Sequence, residues 1–368
     1  MTILPATGSS LPAGVALPGA GDATEVSGTT QGEAPSWRPG TATGIGSLPG
    51  TDIDAAVREV FGELEHLPYL PELPARGVGA DLVGRGAALL SDFHVDLQPS
   101  GWRSVNRPGL DERRARDLLV RDLDSLQFGA VGYTGLLKVQ AAGPWTLAAT
   151  VELHRGEKLL ADRGAVRDVT GALAEGLTTH VADIRRRVPG AQVLVQLDEP
   201  LLPAVLAARV ATASGFGALR RVPGPDAAEG LSVVVEALRS AGAETVVHCC
   251  ARDVPFPVVR QSGAAGVCFD SSLLRARNDD ALGELADSGR KLFVGAVPSD
   301  GTPLPDAGTV AVAVRRLWHR LGLAPELLPS AVVVTPACGL AGVSAGYARA
   351  ATALCREVAG QLAADPEA

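Results

Sequence analysis

Nowhere does the chain run to the roughly 18 consecutive apolar residues that a membrane-spanning helix needs. Its first residues lack the basic stretch and apolar core of a secretory leader. We therefore expect a cytoplasmic protein without membrane contact. A concentrated basic face is missing too. The arginines are scattered and the formal net charge is −8, so no nucleic-acid partner is expected, because phosphate binding needs clustered Lys and Arg. No glycine-rich dinucleotide fingerprint follows any early strand pattern. Cysteine is scarce, at 5 in 368 residues. The count is odd, and Cys249 and Cys250 are adjacent, beside His248. That is poor material for a disulfide framework, and it leaves metal ligation or core packing as the uses of cysteine here.

What is present has the rhythm of an α/β protein. Apolar residues make up 46% and charged residues 20%, which suits buried parallel strands alternating with amphipathic helices. Residues 1–40 are rich in Gly, Ala, Pro, Ser and Thr without apolar periodicity, so we expect a disordered tail there and one folded domain over 41–365. Short Val-, Leu- and Ala-rich runs predict strands at 43–48, 136–141, 193–197, 245–249, 266–269, 291–297 and 331–335. Apolar spacing of three and four predicts helices at 165–187, 227–240, 279–288, 308–321 and 343–362. Seven or eight such units favour a single closed (β/α)8 TIM barrel over a doubly wound sheet.

The polar and metal-capable residues gather where the strand runs end, the face that carries chemistry in such a barrel. They are Gly46 and Ser47 in TGIGSLPG, Asp198 and Glu199 in VLVQLDEP, His248 and Cys250 in TVVHCC, Asp270 in GVCFDSS, and Cys338 in VVVTPACGL. His248, Cys250 and Cys338 together supply one nitrogen and two sulfurs, one ligand short of tetrahedral zinc. Strand alternation puts the two residues of H-x-C on one side, with Cys249 facing the other way. A lone strand-end histidine is more often a satisfied core or loop residue, and Cys338 could be a small buried hydrophobe. Core packing is the reading for Cys268 and Cys355. Asp198 is assigned to the substrate site, and Glu199 to a helix cap or other structural support.

Ile45-Gly46-Ser47, Gly143-Pro144 with Thr146 and Leu147, Gln196 to Pro200, His248 with Cys250, and Pro336 to Leu340 occur in an order and spacing that resembles the catalytic barrel of cobalamin-independent methionine synthase. That family belongs with the uroporphyrinogen decarboxylase-like barrels, and the resemblance spans about 41–360. It implies Zn2+ held by His248, Cys250 and Cys338, with Asp270 standing where the family's fourth ligand, a Glu, is found. It further implies homocysteine bound by Ile45, Gly46, Ser47 and Asp198, with Glu72 receiving the amino group, and methyl transfer that yields methionine. Asp300 occupies the place of the family's proton-donating histidine, and Thr150 that of a tryptophan. The family's N-terminal barrel, which helps bind the folate, has no counterpart in 368 residues. The methyl donor expected is accordingly either a methylated folate or a methyl-corrinoid. Competing readings are another zinc thiol alkyltransferase, acting on coenzyme M or another thiol with a corrinoid methyl or an epoxide as alkyl source; a metal-free decarboxylase of the same superfamily; and a non-catalytic zinc-binding barrel.

Overall fold

The structure, a computed structural model, describes residues 37–367. The tail expected over 1–40 lies outside the described residues apart from 37–40. Two strands, β1 (His94–Gln98) and β2 (Gly101–Val105), form an antiparallel hairpin. Six more form one parallel sheet in sequential order: β3 (Gly135–Ala142), β4 (Ala191–Asp198), β5 (Glu244–Cys249), β6 (Gly266–Asp270), β7 (Lys291–Val297) and β8 (Val332–Pro336). The strands predicted within this sheet agree with it to within a few residues.

Two irregular staves complete the barrel between β8 and β3. The expected strand at 43–48 is realised only as isolated pairings, Ala42 with Val334 and Ser47 with Glu72. Around them, Thr43 N donates to Val334 O (3.1 Å), Val334 N to Thr41 O (3.1 Å) and Leu48 N to Glu72 O (2.9 Å). The segment 67–72 had no strand signal, yet Tyr69 pairs with Lys138 of β3 and Leu70 N donates to Lys138 O at 3.0 Å. The six regular strands and two irregular staves make the eight-membered α/β barrel.

One apolar cluster contains a single residue from each stave: Ile45, Leu67, Leu136, Leu194, Val246, Cys268, Phe293 and Val333. Trp37 packs against it, edge to face on Phe293 at 5.9 Å. Because strand side chains alternate, the residue two positions further along each stave faces the same interior, and there the character changes. The sequence at those positions reads Ser47, Tyr69, Lys138, Gln196, His248, Asp270, Gly295 and Thr335. A dry ring therefore underlies a polar layer.

Helices cover the outside. In Arg163–Arg187 the residues Val169, Leu173, Leu177, Val181 and Ile184 are buried at helical spacing, and Asp162 caps the start by accepting from Gly164 N and Ala165 N. Helices Gly224–Ser240, Ala307–Arg320 and Ala345–Ala364 bury similar stripes. Helices Ile53–Glu63, Leu82–Leu89 and Leu110–Gly129, and the hairpin, extend beyond the sequence expectations. No described helix is long and apolar enough to cross a membrane.

Candidate metal centre

Two strand ends, those of β5 and β8, bring His248, Cys250 and Cys338 together. One ligand atom from each lies within 4.8 Å of the others, and the two sulfurs are 2.6 Å apart. Pairing of β4 with β5 sets Asp198 beside His248, and the Asp198 Oδ1 accepts from His248 Nδ1 at 2.7 Å. The other ring nitrogen, Nε2, is buried without a hydrogen-bond partner. A buried imidazole nitrogen left so, next to two thiols, is what a metal-binding histidine presents when its far nitrogen is held by a carboxylate. The donor set of one nitrogen and two sulfurs suits zinc.

Burial works against a charged ring at His248, but Asp198 and Cys338 outweigh it and hold its pKa up near 9. Within the cysteine pair, the hydrogen bond from Cys250 holds Cys338 down as the thiolate, with His248 helping. The same contact, with burial, keeps Cys250 protonated.

Cys338 owes its place to two glycines. A Cβ on Gly295 of β7 would stand 2.6 Å from Phe269 O and 2.9 Å from the Ala337 Cα, so only a glycine lets the 336–340 turn settle against the sheet. Ala337 N donates to Val297 O at 2.8 Å. On the other side of the turn, Leu340 N donates to Ser47 O at 2.8 Å, and the Ser47 hydroxyl lies where a Gly339 side chain would be. The Ile45–Ser47 turn thus abuts the Cys338 turn. Glu72 joins them from the second stave, its N donating to Gly46 O at 3.0 Å. Burial raises the Glu72 carboxyl to about 7, although Arg85 Nε donates to its Oε1 at 3.2 Å, and the charge of Asp198 adds to the rise.

Two predicted residues stand apart from this group. The Asp270 Oδ1 accepts from Ser272 N (2.9 Å) and Ser272 Oγ (2.7 Å), capping the short turn Ser271–Leu273, and Asp270 is not in the ligand cluster. Asp300 is exposed, and its Oδ1 accepts from Thr302 N and Oγ1. Those bonds hold its pKa below the usual carboxylate value, which leaves it without a proton to give near neutrality. The reason is local. Both aspartates have a hydroxyl residue two positions on, and the side chain closes an Asx-type turn with it.

Glu199 caps a helix, though not one of its own unit. Its Oε1 accepts from Trp145 N (2.9 Å) and its Oε2 from Thr146 N (2.8 Å) and Oγ1 (2.7 Å), at the start of helix Pro144–Thr150. Its own N donates to His248 O at 2.8 Å, tying the ends of β4 and β5. Cys249, Cys268 and Cys355 are buried and outside the ligand group. Sequence reasoning missed Lys138 and gave Gln196 no role of its own. Lys138 is fully buried in β3, and its Nζ donates to Ile45 O (2.9 Å) and Gln196 Oε1 (2.8 Å). The only signal in the sequence is a lone charged residue in a strand run whose other polar member is Gln140.

No family model matches the sequence, and no curated protein matches it. Among solved structures, the chain is similar to a B12-independent methionine synthase from Shewanella sp. W3-18-1 in complex with selenomethionine, with a TM-score of 0.57 at 13% identity, covering 89% of this chain and 98% of that one. It is also matched to β-methylaspartase from Clostridium tetanomorphum at a TM-score of 0.43 and 12% identity, covering 90% of this chain and 60% of that one. At these identities the likeness is one of fold, and the first of the two places this chain among TIM-barrel proteins.

Proposed function

We propose that the protein is a zinc-dependent methyltransferase acting on a small amino-acid thiol, homocysteine above all, with His248, Cys250 and Cys338 as the protein ligands. The observation that carries this reading is the buried, unpartnered Nε2 of His248 facing the two cysteine sulfurs, with Asp198 on the opposite nitrogen. The methionine synthase of like fold, solved with selenomethionine, supports the choice of thiol. A zinc ion held here would supply Lewis-acid stabilisation of a thiolate, so that a thiol with a pKa of about 8.5 becomes nucleophilic at neutral pH.

The chain's own residues do the rest. Asp198 fixes the His248 ring by accepting from Nδ1. Glu72, whose backbone N is bonded to Gly46 O beside the Ile45–Ser47 turn, receives the substrate ammonium. The Ile45–Ser47 turn, packed against Gly339, lines the approach to the sulfur pair and holds the carboxylate end of the substrate. Alignment of the sulfur with an electrophilic methyl group contributes several kcal/mol beyond thiol ionisation. A methylated folate and a methyl-corrinoid are the two donors proposed.

The test is metal content followed by methyl transfer from each donor to homocysteine. Wild-type protein is expected to hold zinc at about one equivalent and to turn over with one donor, while Cys250→Ser and Cys338→Ser lose most of the metal and all transfer with an unchanged fold. Full transfer by either variant refutes the reading.

A further inference from the structure

Lys138 is the one lysine sunk completely into the barrel interior among the described residues. An ammonium carries three donors and no acceptor, so burial without partners would be costly. Here each direction is taken. Nζ donates to Ile45 O at 2.9 Å and to Gln196 Oε1 at 2.8 Å, and it lies 5.1 Å from the centre of the Tyr69 ring. From the third stave it therefore reaches the first, the second and the fourth.

Those contacts fall where the barrel is weakest. Ile45 sits between the isolated pairings at Ala42 and Ser47, with no regular ladder on either side. Its carbonyl is held by side chains instead: Lys138 Nζ, and Gln196 Nε2 at 2.8 Å. A donor-only lysine at Oε1 fixes which end of the Gln196 amide is which, so Nε2 donates both to Ile45 O and to Asp198 Oδ1, the latter at 2.7 Å. The same Oδ1 accepts from His248 Nδ1. One continuous chain of hydrogen bonds therefore runs from the Ile45–Ser47 turn, through Lys138 and Gln196, to Asp198 and His248.

We propose that Lys138 is a positioning residue, an internal strut that holds the Ile45–Ser47 turn in register with the Asp198–His248 pair. Its part in substrate binding rests on the function proposed above; its grip on the turn does not.

The experiment uses the full-length chain with Lys138→Met, an apolar replacement of similar reach, and Gln196→Met as a second variant that removes the other donor to the same carbonyl. Two measurements are made on each: amide hydrogen exchange by segment, and separate affinities for zinc and for homocysteine. For Lys138→Met, exchange over 41–48 is expected to quicken by about tenfold or more while β6 to β8 hold their protection. Zinc affinity should change by less than about threefold and homocysteine affinity should fall by about tenfold, since Asp198 keeps its bond to His248. Gln196→Met, which also strips a donor from Asp198, should weaken both. Unchanged exchange over 41–48, or an even loosening of all staves, overturns the strut. Loosening with unaltered homocysteine affinity upholds the grip on the turn and overturns its bearing on substrate. If the wild-type chain binds no thiol at all, the proposed function fails while the exchange result still decides the strut.

Discussion

His248 can meet a metal through Nε2 alone, because Nδ1 is committed to Asp198 at 2.7 Å. Removing that carboxylate frees the ring to turn and weakens the nitrogen as a ligand. Asp198→Ala is expected to lower zinc affinity by about 10- to 100-fold with the fold intact, measurable by competition with a chromophoric chelator. At this scale the sequence is readable where the chemistry is local. His248 and Cys250 are two apart on a strand that is ending, and Cys338 precedes a glycine at another strand end. Residues whose meaning is tertiary stay hidden. Lys138 looks like any lysine in a strand, because nothing adjacent reveals that Ile45 O and Gln196 wait for it. At Asp270 and Asp300, alignment with a family motif suggests reach toward the site, while a serine or threonine two residues on offers a nearer partner.

Elements are positioned here by groups that belong to other elements. The first turn of helix Pro144–Thr150 is capped by Glu199 from the end of β4, so β3, its helix and β4 are joined at one carboxylate. Glu199→Ala would leave two buried N–H groups and a hydroxyl without an acceptor, at about 1–3 kcal/mol for each group that stays unsatisfied, visible in denaturant unfolding. Glu199→Gln keeps an acceptor oxygen and should cost less. Gly295→Ala places a methyl against Phe269 O and the Ala337 backbone, so the Cys338 turn must move; zinc affinity is expected to fall even though the substitution touches no ligand. The long elements were legible, since Arg163–Arg187 and Gly224–Ser240 carry clean apolar stripes. Helix Leu110–Gly129 was not, because it buries Glu112 and Asp122 on the inner face, where a periodicity reading expects apolar residues. Asp122 is there to meet Arg76 and Arg85, both at 2.6 Å. The stave at 43–48 was legible as a strand but forms only isolated pairings, and the one at 67–72 carried no strand signal.

For the molecule as a whole, buried titratable groups pull stability in opposite directions with pH. Burial, aided by Arg85, lowers the His180 pKa to about 4, below its ordinary 6.5. The unfolded chain then binds the extra proton first, so folding stability falls as pH drops through about 6.5 and levels off below about 4, a span worth roughly 3 kcal/mol. Burial raises Glu199 to about 7, so its share of stability is present below its unfolded value of 4.5 and is lost as pH rises through 7. Comparing the unfolding midpoints of wild type and His180→Gln from pH 7 to pH 4 isolates the first slope; the variant should decline less. Beneath the polar layer lies the ring to which every stave lends one side chain, from Ile45 round to Val333. Such a ring has a fixed circumference, so bulk added at one member must be taken away at another. Leu194→Phe alone should crowd it, and pairing that change with Phe293→Leu should relieve the crowding. Across natural variants of this chain, sizes at these positions are therefore expected to drift in concert, whatever chemistry the mouth above them performs.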